Sequence, residues 1–258
     1  MCRMERLCFL EFTFLVIFYS LFTSIPMVNS HGRLFEPPAR SSMWRFGFPT
    51  YPNYEDSELF CGGIKVQWQD NGGKCGVCGD AYNGKRSHET GGMNARNITT
   101  RVYHPGSVID VVVDMVTNHG GRFKFQMCWR DSFDQPETEE CFETLNLTDG
   151  SDSVSINNRP RGGVFAYPIQ LPPNRTCERC VFRWDWKSAN NWGKCQNGKY
   201  EVGCGPQETY RNCADIAITR DLGIRGPAKT LESSEYRRRF LSGRNNWRSP
   251  THHHGSHR

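Results

Sequence analysis

The cysteines constrain the fold of this chain more than any other feature of its sequence. Twelve occur in 258 residues, and ten of them lie between positions 61 and 213. An even number predicts complete pairing into disulfides if the chain folds in an oxidising compartment. Zinc is the alternative, because two pairs have the CxxC spacing, Cys75/Cys78 and Cys177/Cys180. These pairs lie far apart, whereas zinc ribbons close over about 15–20 residues, so the sequence favours disulfides.

Residues 1–30 have the pattern of a secretory signal peptide. Arg3 and Arg6 precede an apolar run, and the segment ends in residues typical of a cleavage site. A retained membrane anchor is the alternative, but Glu11 leaves an uncharged stretch shorter than the ~20 residues that span a bilayer. We therefore expect cleavage after Ser30, a new N-terminus at His31, and a secreted, extracellular protein that is not held in a membrane.

Three sequons agree with a secretory route, and they begin at Asn97, Asn146 and Asn174. A sequon accepts a glycan only in a chain that enters that route. Each motif is weak evidence by itself, and together they predict a glycoprotein.

The net charge of +5 is concentrated at the C-terminal end. Residues 219–258 hold nine Lys/Arg against three Asp/Glu, so the range 31–218 is close to neutral. A neutral domain lacks the phosphate contacts of a duplex-binding protein, and we expect no nucleic-acid partner. The range 219–258 reads as a basic, disordered tail. Its histidines belong to a solvated segment in this interpretation, with loose metal binding as the alternative.

The range 31–218 is predicted to consist of short strands, since no stretch shows a sustained helical period. A β-branched run or an alternation of apolar and polar residues marks each strand. Short strands joined by disulfides predict one antiparallel β-sandwich with long loops. Five segments carry the pattern: 108–116, 123–127, 163–171, 182–186 and 213–218.

The new N-terminus offers a metal site. Cleavage before His31 would give one residue two nitrogen donors, its α-amine and its imidazole Nδ1. An internal histidine cannot do this, because its backbone nitrogen is an amide. A third nitrogen from a second histidine would complete a set that suits copper, which stands highest in the divalent affinity order and favours planar nitrogen geometries.

His119 is the best candidate for that second histidine. It follows the strongest predicted strand and precedes Gly120 and Gly121, so it can present its ring at a domain edge. His88 and His104 lie in polar loop sequences without such a platform. Alone, His119 would be an ordinary loop histidine, and the terminal histidine makes it a candidate ligand.

Four segments together resemble the lytic polysaccharide monooxygenases, and among them auxiliary activity family fifteen. They read HGRLFEPPARSSMWRFGFPTYPNYEDSELFCGG, TNHGGRFKFQMCW, FRWDWKSANNWG and ETYRNCADIAI. The resemblance covers about 31–218. It implies an immunoglobulin/fibronectin-like antiparallel β-sandwich with a flat copper face, and a monomer that acts on an insoluble polysaccharide.

The resemblance also implies roles for four residues. His31 and His119 match the two histidines that hold copper, and Tyr210 matches the axial position. Glu208 lies two residues before Tyr210, which on a strand puts both side chains on one face. A carboxylate there could hydrogen-bond the oxygen co-substrate and relay protons.

The activity implied is oxidative cleavage of chitin or cellulose, with one copper ion, an external electron donor, and hydrogen peroxide or dioxygen as co-substrate. Two alternatives remain: a secreted copper carrier that uses the same histidines, and a non-catalytic polysaccharide-binding module. Hydrolysis is disfavoured because no motif nominates a pair of carboxylates flanking a cleft. The sequence contains no GxSxG motif, so a serine hydrolase is disfavoured as well.

Overall fold

The computed structural model describes residues 31–221. The predicted signal peptide lies outside the described residues, as does the predicted tail beyond its first three positions. None of the helices in the described part is long and apolar enough to cross a membrane.

The described chain is almost entirely strand and loop. Its helices are three short ones: a 3-10 turn at Met43–Phe46, a π-helical segment at Lys65–Asp70, and a 3-10 turn at Glu139–Cys141. The strands are β1 His31–Glu36, β2 Arg101–Tyr103, β3 Val108–Thr117, β4 Arg122–Cys128, β5 Phe142–Thr144, β6 Val154–Ser155, β7 Gly163–Gln170, β8 Cys177–Lys187, β9 Trp192–Lys194, β10 Tyr200–Val202 and β11 Thr209–Ile218.

These strands form two sheets and a separate hairpin. The first sheet has the order β1-β3-β7, and the second has the order β2-β11-β8-β4-β5, with β6 also paired to β4. Strands β9 and β10 form the hairpin. All pairs are antiparallel except β2 with β11, which is parallel. The predicted immunoglobulin-like β-sandwich is confirmed, with this one parallel pair as a difference.

Aromatic side chains dominate the core between the sheets. Phe123 and Phe125 of β4 and Trp184 and Trp186 of β8 are completely buried. The rings of Phe123 and Trp184 meet edge to face, with centroids 5.2 Å apart, an arrangement that the ring quadrupoles favour. The predicted alternation in β4 and β8 therefore identified the core correctly.

Strand β8 differs from the predicted half-buried pattern because its second face is covered too. Arg183, expected to face solvent, is 1% exposed. Its guanidinium pairs with Glu139 at 2.9 Å, and the short helix that carries Glu139 lies over it. A second apolar cluster, which includes Cys78 and Cys213, occupies this face.

All ten cysteines of the described chain are paired, so the disulfide prediction is confirmed. Cys75 and Cys78 belong to different bridges, and Cys177 bonds Cys180 directly, which removes the zinc alternative. The bridges are Cys61–Cys75, Cys78–Cys213, Cys128–Cys141, Cys177–Cys180 and Cys195–Cys204.

Candidate metal centre

Strand pairing brings the beginning of the described chain to the edge that carries the second predicted ligand. His31 is paired with Thr117 at the end of β3, and His119 follows two residues later. A register shift lies between His31 and Gly32, so the first residue departs from the regular ladder. His31 therefore lies at the sandwich edge where the loop after β3 begins.

A tight loop positions His119. Gly120 and Gly121 both have positive φ, +66° and +89°, and a Cβ on Gly121 would lie 1.9 Å from the carbonyl oxygen of Lys187. Only glycine fits this approach. The backbone nitrogen of Ala189 donates to the carbonyl of His119 at 3.0 Å, which ties the loop to the segment after β8.

The environment of His119 favours a neutral imidazole. Burial lowers the pKa of His119, and the nearby His31 and Arg161 lower it further. The neutral ring is the form that binds metals. The side-chain amide of Asn190 hydrogen-bonds Nδ1 of His119 at 2.8 Å, so this ring is held through Nδ1.

Tyr210 lies between two aromatic rings at the start of β11. It stacks on Trp186, with centroids 4.6 Å apart, and on Phe60, with centroids 5.8 Å apart. The indole nitrogen of Trp186 donates to the carbonyl of Gly120 at 2.8 Å. The ring of Tyr210 is thereby linked to the loop of His119 through a single tryptophan, and it serves the core as well as the site.

Glu208 lies between Tyr210 and His119. Its Oε2 accepts a hydrogen bond from the Tyr210 hydroxyl at 3.5 Å and lies 4.0 Å from Nδ1 of His119. Burial raises the pKa of Glu208, and the hydrogen bond from Tyr210 and the charge of His31 offset only part of that effect. The structure therefore places the Glu208 carboxylate beside the predicted ligand and the predicted axial residue.

The two other histidines of the domain lie elsewhere and have local partners. His88 is 5% exposed, its Nδ1 lies 2.9 Å from Asp80, and its Nε2 lies 2.8 Å from the amide of Asn94. Nδ1 of His104 lies 2.8 Å from the carbonyl of Pro105. Both rings are explained by local structure.

The segment 55–61 also reaches this edge, and the sequence did not point to it. Nε2 of His31 lies 2.9 Å from Oε1 of Glu58, and Phe60 packs on Tyr210. No local pattern identifies Glu58, because the contact joins strand β1 to a loop that only the folded chain brings beside it. Asn190 was missed for the same reason.

The residues at this edge fit a copper ion by their chemistry. The two imidazoles are nitrogen donors, which suit copper, and one of them is held in its neutral form. The contact of His31 with Glu58 is made through Nε2, and Nδ1 is the ring nitrogen nearer to the backbone. The phenol and the carboxylate complete a small polar set bordered by aromatic rings.

Comparisons with known proteins show the family of this chain. The family described as lytic polysaccharide mono-oxygenase, cellulose-degrading, matches residues 31–216. The structure of a lytic polysaccharide monooxygenase AA15 from Thermobia domestica in the Cu(I) state is 45% identical, with a TM-score of 0.70; the match covers 73% of this chain and 98% of that one. A search of curated proteins finds no match.

Two further structures are far less similar. A chitin binding domain from Burkholderia pseudomallei is 12% identical over 74% of this chain and all of that one, with a TM-score of 0.40. A lytic polysaccharide monooxygenase from Micromonospora aurantiaca is 16% identical over 72% of this chain and 99% of that one, with a TM-score of 0.41. The 45% identity and the family match are decisive: the chain belongs to the lytic polysaccharide monooxygenases, copper-dependent oxidoreductases that act on polysaccharides, and within them to the group AA15.

Proposed function

We propose that this protein is secreted, is cleaved before His31, and breaks glycosidic bonds in chitin or cellulose by oxidation. In this proposal residues 1–30 are the signal peptide, 31–218 the catalytic domain and 219–258 a solvated tail, and the protein acts as a monomer. The observation that supports the proposal is the pairing of His31 with Thr117, because it brings the residue proposed as the N-terminus near the loop of His119.

Two observations support the secretory part of this proposal. All ten cysteines of the described domain form disulfides, as is typical of an oxidising compartment. The three sequon asparagines, Asn97, Asn146 and Asn174, are exposed, and an exposed site is what a glycan requires.

His31 and His119 would hold one copper ion, through the α-amine and Nδ1 of the first and a ring nitrogen of the second. When bound, copper supplies one-electron chemistry with an external electron donor and with hydrogen peroxide or dioxygen as co-substrate. The protein supplies the donor positions, the exclusion of water and the proton.

Tyr210 and Glu208 have distinct roles in this proposal. The ring of Tyr210, held between Trp186 and Phe60, would lie beside the copper ion and keep water away from that side of it. Glu208 accepts a hydrogen bond from the Tyr210 hydroxyl, and burial raises the pKa of its carboxyl group above the ordinary value. This carboxyl group would deliver or accept a proton beside His119.

Exposed aromatic residues on two segments support an extended sugar polymer as the substrate. Strand pairing sets Trp192 opposite Val202 and Tyr200 opposite Lys194 on the β9–β10 hairpin, and Trp192 is 66% exposed. Tyr54, near Glu58 in the chain, is 76% exposed. Flat aromatic faces suit the apolar faces of pyranose rings.

The test is an assay of the copper-loaded protein, starting at His31, on insoluble chitin and on cellulose with ascorbate. We expect oxidised oligosaccharides from at least one polymer, and none when ascorbate or copper is left out. Copper binding without release from either polymer would contradict the proposal and favour a copper carrier. Polymer binding without copper binding would favour a non-catalytic module.

A further inference from the structure

We propose that Glu58 is a positioning residue for the N-terminal metal site: it sets the tautomer and the orientation of the His31 ring. The inference rests on the proposed function. The observation behind it is the short contact between Nε2 of His31 and Oε1 of Glu58, at 2.9 Å.

The chemistry of a terminal histidine makes this contact matter. Only Nδ1 can share a metal ion with the α-amine of the same residue, because Nε2 lies on the far side of the ring. A neutral imidazole carries one proton, and the nitrogen that lacks the proton offers the lone pair. A carboxylate that accepts from Nε2–H therefore keeps the lone pair on Nδ1, where the chelate needs it.

The loop that carries Glu58 is held against the beginning of β1 by a hydrogen bond and an ion pair. The backbone nitrogen of Gly32 donates to the carbonyl of Ser57 at 3.1 Å. The carboxylate of Asp56 is completely buried and accepts from both Arg33 and Arg45. Since Arg33 belongs to β1, a buried ion pair connects the strand of His31 with the loop of Glu58.

The same arginine extends this anchor to the strand that precedes the second histidine. Arg33 pairs with Asp114 of β3 at 3.0 Å, and β3 leads to His119. Glu58 itself is 42% exposed at its side chain, so it is not needed to fill the core. The buried ion pair of Asp56 and Arg33 thus holds the loop in place without any contribution from Glu58. The contact of Glu58 with His31 is therefore not needed for the packing of this loop.

The loop also reaches the opposite side of the site. The backbone nitrogen of Arg211 donates to the carbonyl of Leu59 at 3.1 Å, and Phe60 stacks on Tyr210. The position of Glu58 is therefore set by contacts with β1 and with β11. This supports a defined orientation for its carboxylate rather than a chance surface contact.

Three variants separate a positioning role from a structural one. Glu58→Ala removes the acceptor, Glu58→Gln keeps an acceptor oxygen without the charge, and Glu55→Ala removes an exposed carboxylate from the same loop. Each protein is secreted so that it begins at His31, and thermal unfolding checks that each is folded.

The first measurement is the ring-nitrogen NMR spectrum of the metal-free, nitrogen-15-labelled proteins. We expect the wild type and Glu55→Ala to hold His31 with its proton on Nε2, Glu58→Gln to keep most of that form, and Glu58→Ala to show a mixture. A wild type with the proton on Nδ1, or a Glu58→Ala spectrum identical to the wild type, would overturn the proposal.

The second measurement is the affinity for copper(II) by competition with a chelator. We expect Glu58→Ala to lose about 10–100-fold in affinity, the usual effect of removing a partner of a metal-binding histidine, with Glu55→Ala unchanged. Equal affinity in Glu58→Ala and the wild type would refute the role. Neither measurement uses a polysaccharide, so a protein that releases no oxidised sugar contradicts the proposed function alone.

Discussion

Glu137 and Glu208 lie in different regions of the same sandwich; Glu137 is buried, and Glu208 is partly buried, with 21% of its side chain exposed. Glu137 is 5% exposed and lies between Arg40 and Arg130, with its Oε2 2.9 Å from the guanidinium of Arg130. Glu208 has Tyr210 and His119 as its neighbours, and in the described part of the chain no arginine or lysine pairs with it. The two carboxyl groups therefore differ not only in burial but also in their partners, since only Glu137 is paired with arginines.

The pKa values of the two glutamates move in opposite directions. Burial raises the pKa of both, but the charges and hydrogen bonds of Arg40, Thr90 and Arg130 lower the pKa of Glu137 overall. Glu208 has no comparable partner, so its pKa is raised. Glu137 therefore belongs to a buried ion-pair network within the fold, whereas Glu208 contacts Tyr210 and His119 at the candidate site.

Removing the second histidine should have the largest effect. His119→Ala deletes one of three proposed nitrogen ligands, so we expect copper binding and polysaccharide oxidation to be lost together. Titration with copper(II), followed by paramagnetic resonance, measures the loss. The matched control is His104→Ala, which should leave the copper spectrum unchanged. A wild-type spectrum from His119→Ala would show that another residue provides the ligand.

Substituting Glu208 should affect catalysis without affecting the fold. Glu208→Gln keeps the size of the side chain and removes its exchangeable proton, so we expect copper to bind and the rate to fall by roughly 10²–10⁴, the range for general acid–base groups. Rates on the preferred polymer and the melting temperature are the measurements. Unchanged oxidation would remove Glu208 from the mechanism.

Substituting Glu137 should lower the stability of the fold without removing a group that the proposed reaction uses. Glu137→Gln removes the charge of one of the two carboxylates that Arg40 and Arg130 share, leaving Asp215 as the other. Breaking a buried pair in this way typically costs about 3–5 kcal/mol of unfolding free energy. Denaturant unfolding measures the difference. Glu140→Gln, an exposed neighbour, is the control and should unfold like the wild type. A loss of activity without a loss of stability would contradict the assignment of Glu137 to the fold.

The effect of Glu137 should also depend on pH in a defined direction. Its pKa in the folded protein lies below the ordinary value of 4.5, so its charged form stabilises the fold above that value. This contribution is lost as the pH falls through the folded pKa. The difference between wild type and Glu137→Gln should therefore be full near pH 7 and should shrink below about pH 4.5.

The smallest effect is expected at the axial position. Tyr210→Phe keeps the ring between Trp186 and Phe60 and removes only the hydroxyl that donates a hydrogen bond to Glu208. Copper should still bind, with a changed paramagnetic resonance spectrum and reduced but measurable oxidation. Complete loss of copper binding would make Tyr210 a ligand rather than a neighbour of the metal.

The core strands were predictable from sequence because each carries its own signal. The alternation around Phe123 and Trp184 reports a face buried against another sheet, and β4 and β8 follow it. Strand β1 was not predicted, because the pairing of HGRLFE with β3 depends on distant residues. The early start of β11, at Thr209 rather than 213, escaped notice for the same reason.

The candidate site was predictable only in part. His31 and His119 were found from the chemistry of a terminal histidine, and Tyr210 and Glu208 from the resemblance to a family. Glu58 could not be found, since its contact with His31 depends on an ion pair between Asp56 and Arg33 that no local pattern encodes. Arg40 and Arg130, which pair with Glu137 and have no counterpart beside Glu208 in the described part of the chain, are likewise brought together only by the fold.

The most direct test of the account concerns the α-amine of His31. A methionine placed before His31 converts that amine to an amide and leaves every other residue of the site in place. We expect copper(II) affinity, measured by calorimetry on the protein with and without the added methionine, to fall by orders of magnitude and to return when the methionine is removed enzymatically. Equal affinity in the two proteins would contradict this expectation.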